Sequence, residues 1–459
     1  MPHALTAELD ALRARCTGRV LDPGDEGWDA ARQAWNLACD QRPVAVAEVA
    51  DEADVVAVVN FARKAGLRVA PQGTGHNPHP LGSLDDALLL KTAGLTGVEI
   101  DPQRRRARVR AGALWLDVVQ AAHPHGLAGL AGSSPDVGVV GYSLGGGIGW
   151  LARRYGMQTN SVQAVEMVTA DGELVRADHD HEPDLFWALR GGGGNFGVVT
   201  AMEFSLYPQA QVYAGAVAWP WEQGERVLQR WREWTQTLPD EVTTSARLLQ
   251  LPPLPDIPAP LRGRNLVMVD GAILADAEHG AALLQPLREL EPEIDMWAPM
   301  PPVGLVHIHG DPEHPVPAQS GHCLLGELAP ETVDTLVALA GPGSGSPLLQ
   351  AELRHLGGAL GRPADPCGAL PALDGAYAMF AVGIAMDADM GAAVHGHAQA
   401  LTKALGPWTN GRNYLNFSEN PTDTRTAYDE ETYRRLHAVR AQVDPNGLFR
   451  ANHPIPLDA

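Results

Sequence analysis

The sequence predicts an α+β protein of two or three packed domains, and three observations carry that expectation. Strands and helices alternate early in the chain. Three glycine-dense loops, Val69 to Gly82, Ser133 to Gly149 and Arg190 to Thr200, interrupt that alternation. After about Pro208 such loops thin out, and strands alternate with helices in a pattern that suits a sheet covered on one face. With 459 residues, 45% hydrophobic and 19% charged, the chain is long enough to bury a large core.

The elements follow in order. Val55, Val58, Val59 and Ala62 share one face of a helix from Glu52 to Ala65, and Gly66 stops it. Leu67 to Ala70 reads as a buried strand running into the first glycine loop, which carries His76 in its tightest turn. Short apolar runs at Ala87 to Leu90, Val98 to Ile100 and Ala107 to Val109 read as strands, and Leu114 to about Ala122 as a helix. Asp171-Gly172 between Val162 to Thr169 and Leu174 to Val175 signals a hairpin. A helix over Pro183 to Leu189 and a strand over Val198 to Tyr207 flank the third glycine cluster. Further strands are expected near Leu266 to Val269, Val306 to His309, Leu349 to Leu353 and Tyr377 to Ile384. Helices are expected near Glu278 to Glu289, Pro330 to Ala338, Met390 to Leu405 and Asp429 to Val443.

Charge and composition exclude several classes of function. The net charge is −21 and the basic runs, such as Arg104 to Arg106, are too short to track a phosphate backbone, so no nucleic-acid partner is expected. Cys16, Cys39, Cys323 and Cys367 lack CxxC spacing, which suggests neither zinc nor a disulfide framework and fits a reducing compartment. The N-terminal stretch mixes charges among helically spaced apolar residues. It lacks a signal-peptide core or membrane span, so a cytoplasmic protein with no membrane partner is expected. HxH pairs recur, as at His179/His181 and His307/His309, without a further ligand at dependable spacing, and no metal site is expected.

Two motif readings compete for the glycines. Gly192, Gly194 and Gly197 satisfy GxGxxG, but a dinucleotide fingerprint needs a strand before it and a helix after it, and here the order is reversed. GYSLG, Gly141 to Gly145, satisfies GxSxG and would make Ser143 the nucleophile of a serine hydrolase, with Asp444 and His453 as partners; no HGGG-type oxyanion loop precedes it.

A third reading uses all the clusters together. His76 in GTGH, the loop at Ser133 to Gly149, RGGGGNFGVVT, and the C-terminal YLNF and DPNGLF stretches resemble the berberine bridge enzyme-like group of the vanillyl-alcohol oxidase flavoproteins. Agreement runs from about Pro43 to Tyr207 and from about Gly406 to Ile455. Between them it rests mainly on LRHLGGAL at Leu353 to Leu360.

The resemblance implies an FAD-binding domain over residues 1–210, its PCMH-type core of two α+β subdomains over about 40–210. It further implies a substrate-binding domain over 211–408, with an antiparallel sheet covered by helices, and a segment over 409–459 that returns to the FAD domain. It implies FAD bound on bare backbone amides of Gln72, Gly73, Thr74, Gly75 and Asn77, with His76 covalently linked to the flavin. Ser134 stands where many relatives carry a second linking cysteine, so one covalent bond is expected. Val137, Gly138, Gly141, Tyr142, Ser143, Gly145, Gly146, Gly147 and Gly149 are expected to cradle the cofactor, the glycines opening a helix in IGWLARRYG. Asn195, Gly197 and Val199 would pack beside the flavin. Val137 occupies a position that the family associates with oxygen access, which favours an oxidase with O2 as acceptor over a dehydrogenase. Tyr414, with Asn416, matches the tyrosine of a YxN segment that takes the proton of a small-molecule substrate. Arg412 is a candidate helper in lowering its pKa, and Tyr377 would hydrogen-bond the same oxygen. A non-catalytic flavin-binding protein remains an alternative.

Overall fold

The computed structural model describes residues 3–255 and 257–457 and builds three main sheets. The first orders its strands Arg19–Leu21, Ala45–Glu48, Ala87–Lys91, Arg68–Gln72. The last three run parallel, and the first pairs antiparallel at the edge. The helix Glu52–Ala65 provides the crossover. Asp51 caps it by accepting the Asp54 amide, and Gly66 ends it at φ 67°. Its apolar stripe of Val55, Val58, Val59 and Ala62 is fully buried, as the spacing predicts.

The second sheet is antiparallel, ordered Val98–Asp101, Arg106–Arg110, Val198–Ser205, Val162–Val168, Leu174–Asp178. Gly172 turns the expected hairpin at φ 78°. Trp115–Ala122 and Pro183–Leu189 are the helices expected here.

The third sheet has eight antiparallel strands, with Val212–Pro220, Asn265–Ile273, Val242–Gln250, Gln350–His355, Tyr377–Ile384 and Ala318–Leu325 running consecutively across it. Helices Gly224–Thr235, Ala277–Arg288, Pro330–Ala340 and Ala388–Ala404 supply its cover. Strand alternation sends Ala246, Leu248, Val267, Val269, Ala351, Leu353, Met379 and Ala381 into the core beneath them, against Trp231 and Trp234. The opposite face is left for a cavity.

Three of these strands escape a reading by hydropathy. VYAGAVAWP, VTTSARLLQ and AQSGHCLL are rich in small or hydroxylic residues that fit between packed layers without alternating in polarity. The strand expected at Val306 to His309 is instead a 3-10 segment, Pro302–His307. The C-terminal helix is Glu430–Val443, capped by Asp429. After it, Val69 donates to Leu448 O and Arg450 to Val69 O, both at 2.8 Å, so the chain end returns to the first sheet.

Candidate cofactor and substrate cavity

A cavity of about 840 Å³ lies between the glycine loops and the uncovered face of the eight-stranded sheet. The first loop is fixed from behind: Trp35 and Asn36 donate their amides to Thr74 O and Gly75 O at 3.1 and 3.2 Å. Gly75, at φ 81°, permits the turn. The second and third glycine segments are tied together because the amides of Gly191 and Gly193 both donate to Leu144 O at 3.0 Å.

His76 is held on three sides. Its Nδ1 is 2.8 Å from Thr74 Oγ1, its ring stacks on Trp35 with centroids 4.1 Å apart, and its Nε2 lies 3.3 Å from Asp136 Oδ1 without the alignment of a hydrogen bond. Asp136 also accepts from Trp35 Nε1 at 2.5 Å and Ser134 Oγ at 2.9 Å. Burial would raise the Asp136 pKa, but His76, Trp35 and Ser134 outweigh it and hold the carboxyl below its usual range.

The cavity brings together Gln72, Gly73, Thr74, Gly75, His76, Asn77, Ser134, Val137, Gly138, Gly141, Tyr142, Gly145, Gly197, Val199, Tyr414 and Asn416, all expected at the site. Five expected cofactor residues lie elsewhere. Ser143 is fully buried inside the short helix Val139–Leu144, its Oγ donating to Val139 O at 2.7 Å. It therefore cradles nothing and cannot act as a hydrolase nucleophile. Gly146 and Gly147 pack against Tyr414 and Tyr142, and Gly149 against Ala131 O, positions where a Cβ would collide. These glycines follow a helix instead of opening one; the next helix is only Ala152–Tyr155. Asn195 is a buried clamp, donating to Gly192 O and His453 O and accepting from Arg440 and Ile455.

Tyr414 is 1% exposed, and its Oη accepts the Gly147 amide at 2.7 Å and Asn416 Nδ2 at 3.2 Å. Burial pushes the phenol above its usual pKa, while the Gly147 amide, Asn416 and the charge of Arg354 act in the opposite sense. The expected net lowering is thus reversed. Arg412 donates to Tyr428 O at 2.6 Å, and Arg354 is the cation that acts on Tyr414. Tyr377 is also corrected. Strand parity turns it, with Met379 and Ala381, into the helix-covered core, where its Oη meets Thr235 Oγ1 at 2.7 Å, while Phe380 and Val382 face the cavity.

A charged wall completes the site, and sequence reasoning missed it. Asp270 Oδ2 accepts Arg247 Nη2 at 2.5 Å and lies 2.8 Å from His309 Nδ1; Ser245 Oγ donates to Asp270 Oδ1. Glu352 Oε1 accepts Arg354 Nε at 2.6 Å. Burial and Arg247 oppose protonation of His309, yet Asp270, Asp311 and Glu352 push its pKa up to about 9. The signal lay in period-two spacing: Glu352 and Arg354 alternate with Ala351 and Leu353, so a strand must send both charges to the other face. Glu419 also lines the cavity; burial raises its carboxyl to about 7 although Ser320 Oγ donates to it at 2.6 Å. Among the described residues, no group of His, Cys, Asp and Glu side chains is arranged to hold a metal, and no helix is long and apolar enough to cross a membrane.

The residues fit a large dinucleotide cofactor. Gly141 and Gly194 line the cavity with open space where a Cβ would stand, and the buried Asn77 Oδ1 has no hydrogen-bond partner. Bare peptide suits a diphosphate, and Val137, Val140, Leu144 and Val199 suit a flat apolar ring system.

Comparison with known proteins agrees. Residues 43–178 match the FAD binding domain family, and residues 413–456 match the family described as berberine and berberine like. (R)-6-hydroxynicotine oxidase of Paenarthrobacter nicotinovorans is 36% identical over 203 residues, 44% of each chain. Xylooligosaccharide oxidase of Thermothelomyces thermophilus is 30% identical over 240 residues, 51% of this chain and 48% of that one. The chain thus spans about half the length of the curated relatives it matches. The crystal structure of 6-hydroxy-D-nicotine oxidase from Arthrobacter nicotinovorans superposes with a TM-score of 0.82 at 25% identity, covering 96% of this chain and 98% of that one.

Proposed function

From a berberine bridge enzyme-like chain, in which an FAD binding domain joins a berberine-like C-terminal segment, we propose an FAD-linked oxidase that acts on a carbon bearing a hydroxyl or amine. The observation that carries this reading is one cavity lined both by His76 in its bare-backbone loop and by Tyr414 in its Asn416-buttressed turn. When bound, FAD supplies the two-electron acceptor for such an oxidation.

The chain's own residues bind, orient and move a proton. Gln72 to Asn77, with Gly138, Gly141 and Gly145, hold the cofactor on backbone amides, and His76 forms its single covalent link; Ser134, engaged with Asp136, adds none. Tyr414 meets the substrate's heteroatom and takes its proton. Both donors on its oxygen stabilise the phenolate that this requires. The substrate loses two electrons and two protons in all, and dioxygen gains both to give hydrogen peroxide. Val137 lines the cavity where oxygen enters, and the oxidase names of the relatives support that acceptor. The uncovered face of the eight-stranded sheet is the substrate side.

The test is an anaerobic screen of alcohols and amines that follows flavin absorbance. Bleaching by a substrate, followed by recovery with peroxide on admitting air, supports the oxidase. Retained flavin with no bleaching across the panel overturns it.

A further inference from the structure

The sheet face that looks into the cavity changes character along its strands. Register places Asp270, Ser245, Arg354 and Ala378 in one cross-strand row, Met268, Arg247, Glu352 and Phe380 in the next, and Leu266, Leu249, Gln350 and Val382 in the third. Rows two residues apart are separated by about 7 Å. The first two rows each carry two charged side chains, and the third carries none and is largely apolar. Beyond it, Leu251 and Leu261 pack with Leu249, Leu266 and Met268 in one hydrophobic cluster, and Ile257 continues the apolar lining.

The charged end is internally compensated but for two buried atoms, Arg247 Nε and Glu352 Oε2. Glu352 is fully buried and lines the cavity; its Oε1 is taken by Arg354, while its Oε2 has no hydrogen-bond partner, and His309 Nε2, at 3.7 Å, is too far to serve. Burial would raise the carboxyl's pKa, but Arg354, His309 and Arg247 hold it well below the usual range, so it stays ionised and can only accept. A buried acceptor without a donor is costly unless a ligand supplies one. Arg247 marks the boundary between the sectors, since Nη2 reaches both Asp270 Oδ2 at 2.5 Å and Met268 Sδ at 3.3 Å.

We propose that the substrate is an amphipathic molecule, with an N–H or O–H at one end donating to Glu352 Oε2 and an apolar body lying along the strands over Met268, Leu249 and Leu261. An oligosaccharide, polar along its whole length, would place hydroxyls over Leu266, Leu249 and Val382, with only Gln350 and, on the next strand, Ser320 as polar side chains in that row. This assignment rests on the oxidoreductase reading of the same cavity.

The experiment measures binding to the FAD-loaded protein under nitrogen, by quenching of tryptophan fluorescence. The probes are 4-alkylbenzyl alcohols from methyl to hexyl, their methyl ethers, xylobiose and cellobiose. Affinity should rise about threefold to fourfold per methylene, and alcohols should bind at least about tenfold more tightly than their ethers. Leu249→Asn, or the milder Leu261→Asn should the first fail to fold, should flatten the length series. Glu352→Gln should narrow the preference for alcohol over ether. A flat series in the native protein, or disaccharides binding as tightly as the hexyl probe, overturns the proposal. Because the readout is binding, a steep series with no flavin bleaching by any probe supports the substrate class while counting against the oxidoreductase, and bleaching by xylobiose beside a flat series does the reverse.

Discussion

Tyr414 Oη accepts the amide of Gly147 at 2.7 Å, across 267 residues of sequence. The contact ties the C-terminal segment to the second glycine loop and fixes the phenol at the cavity wall. Tyr414→Phe keeps the ring and its packing and removes only the oxygen. It should slow anaerobic flavin reduction about 10²- to 10⁴-fold with FAD content unchanged, as stopped-flow absorbance would show. A rate within a factor of a few of the native one would remove Tyr414 from the chemistry.

The same pair makes Gly147 sensitive. It sits at φ 86°, and a Cβ there would stand 2.4 Å from Tyr142 Cε1 and 2.9 Å from Gln158 Cβ. Gly147→Ala should cost about 2–3 kcal/mol in denaturant unfolding and also lower the reduction rate, although alanine carries no reactive group.

The pH profile follows from the direction of the tyrosine shift. A base must be deprotonated to act, and burial raises the Tyr414 pKa above its ordinary value, so the fraction competent grows with pH. The reduction rate should climb through neutrality without a plateau below about pH 9. Arg354 favours the phenolate, so Arg354→Gln should displace the rise to still higher pH. A profile flat from pH 6 to 9 in the native protein, on a scale of about three units, would contradict this.

Acid precipitation separates the roles around His76. Yellow colour should stay in the pellet of the native protein and pass to the supernatant with His76→Ala. Asp136→Asn removes the anion 3.3 Å from Nε2 and should slow formation of the acid-stable colour when FAD is added to the colourless protein.

Glu419 gives a stability signature of its own. Its carboxyl titrates near 7 when folded against 4.5 normally, so between those values the folded chain holds a proton that the unfolded chain has lost. Its stabilising contribution is complete below about pH 4.5 and is lost as pH rises through about 7. Glu419→Gln in the cofactor-free protein should therefore raise Tm by a few degrees at pH 8 and hardly change it at pH 4.5.

By itself the sequence determined the local framework and most of the cofactor loop. The Glu52–Ala65 helix, the Asp171-Gly172 hairpin and the bare Gln72-to-Asn77 loop are each specified by neighbouring residues: an apolar stripe with its caps, a turn dipeptide, glycines where backbone must approach a ligand. Tyr414 and Asn416 are legible only through the family resemblance, which matches the short YxN segment they share. Tertiary structure alone decided which charges share the wall. Arg247, Asp270, His309 and Glu352 come from four separate segments: strand register and the period-two pleat set Arg247, Asp270 and Glu352 on one face, and the loop beyond the 3-10 segment Pro302–His307 brings His309 onto them. The same pleat turned Tyr377 away from the cavity, and packing buried Ser143 in a helix that its motif alone would not reveal. Local patterns encode backbone conformation. The electrostatic environment of a side chain is set by neighbours distant in sequence, and only the folded arrangement supplies them.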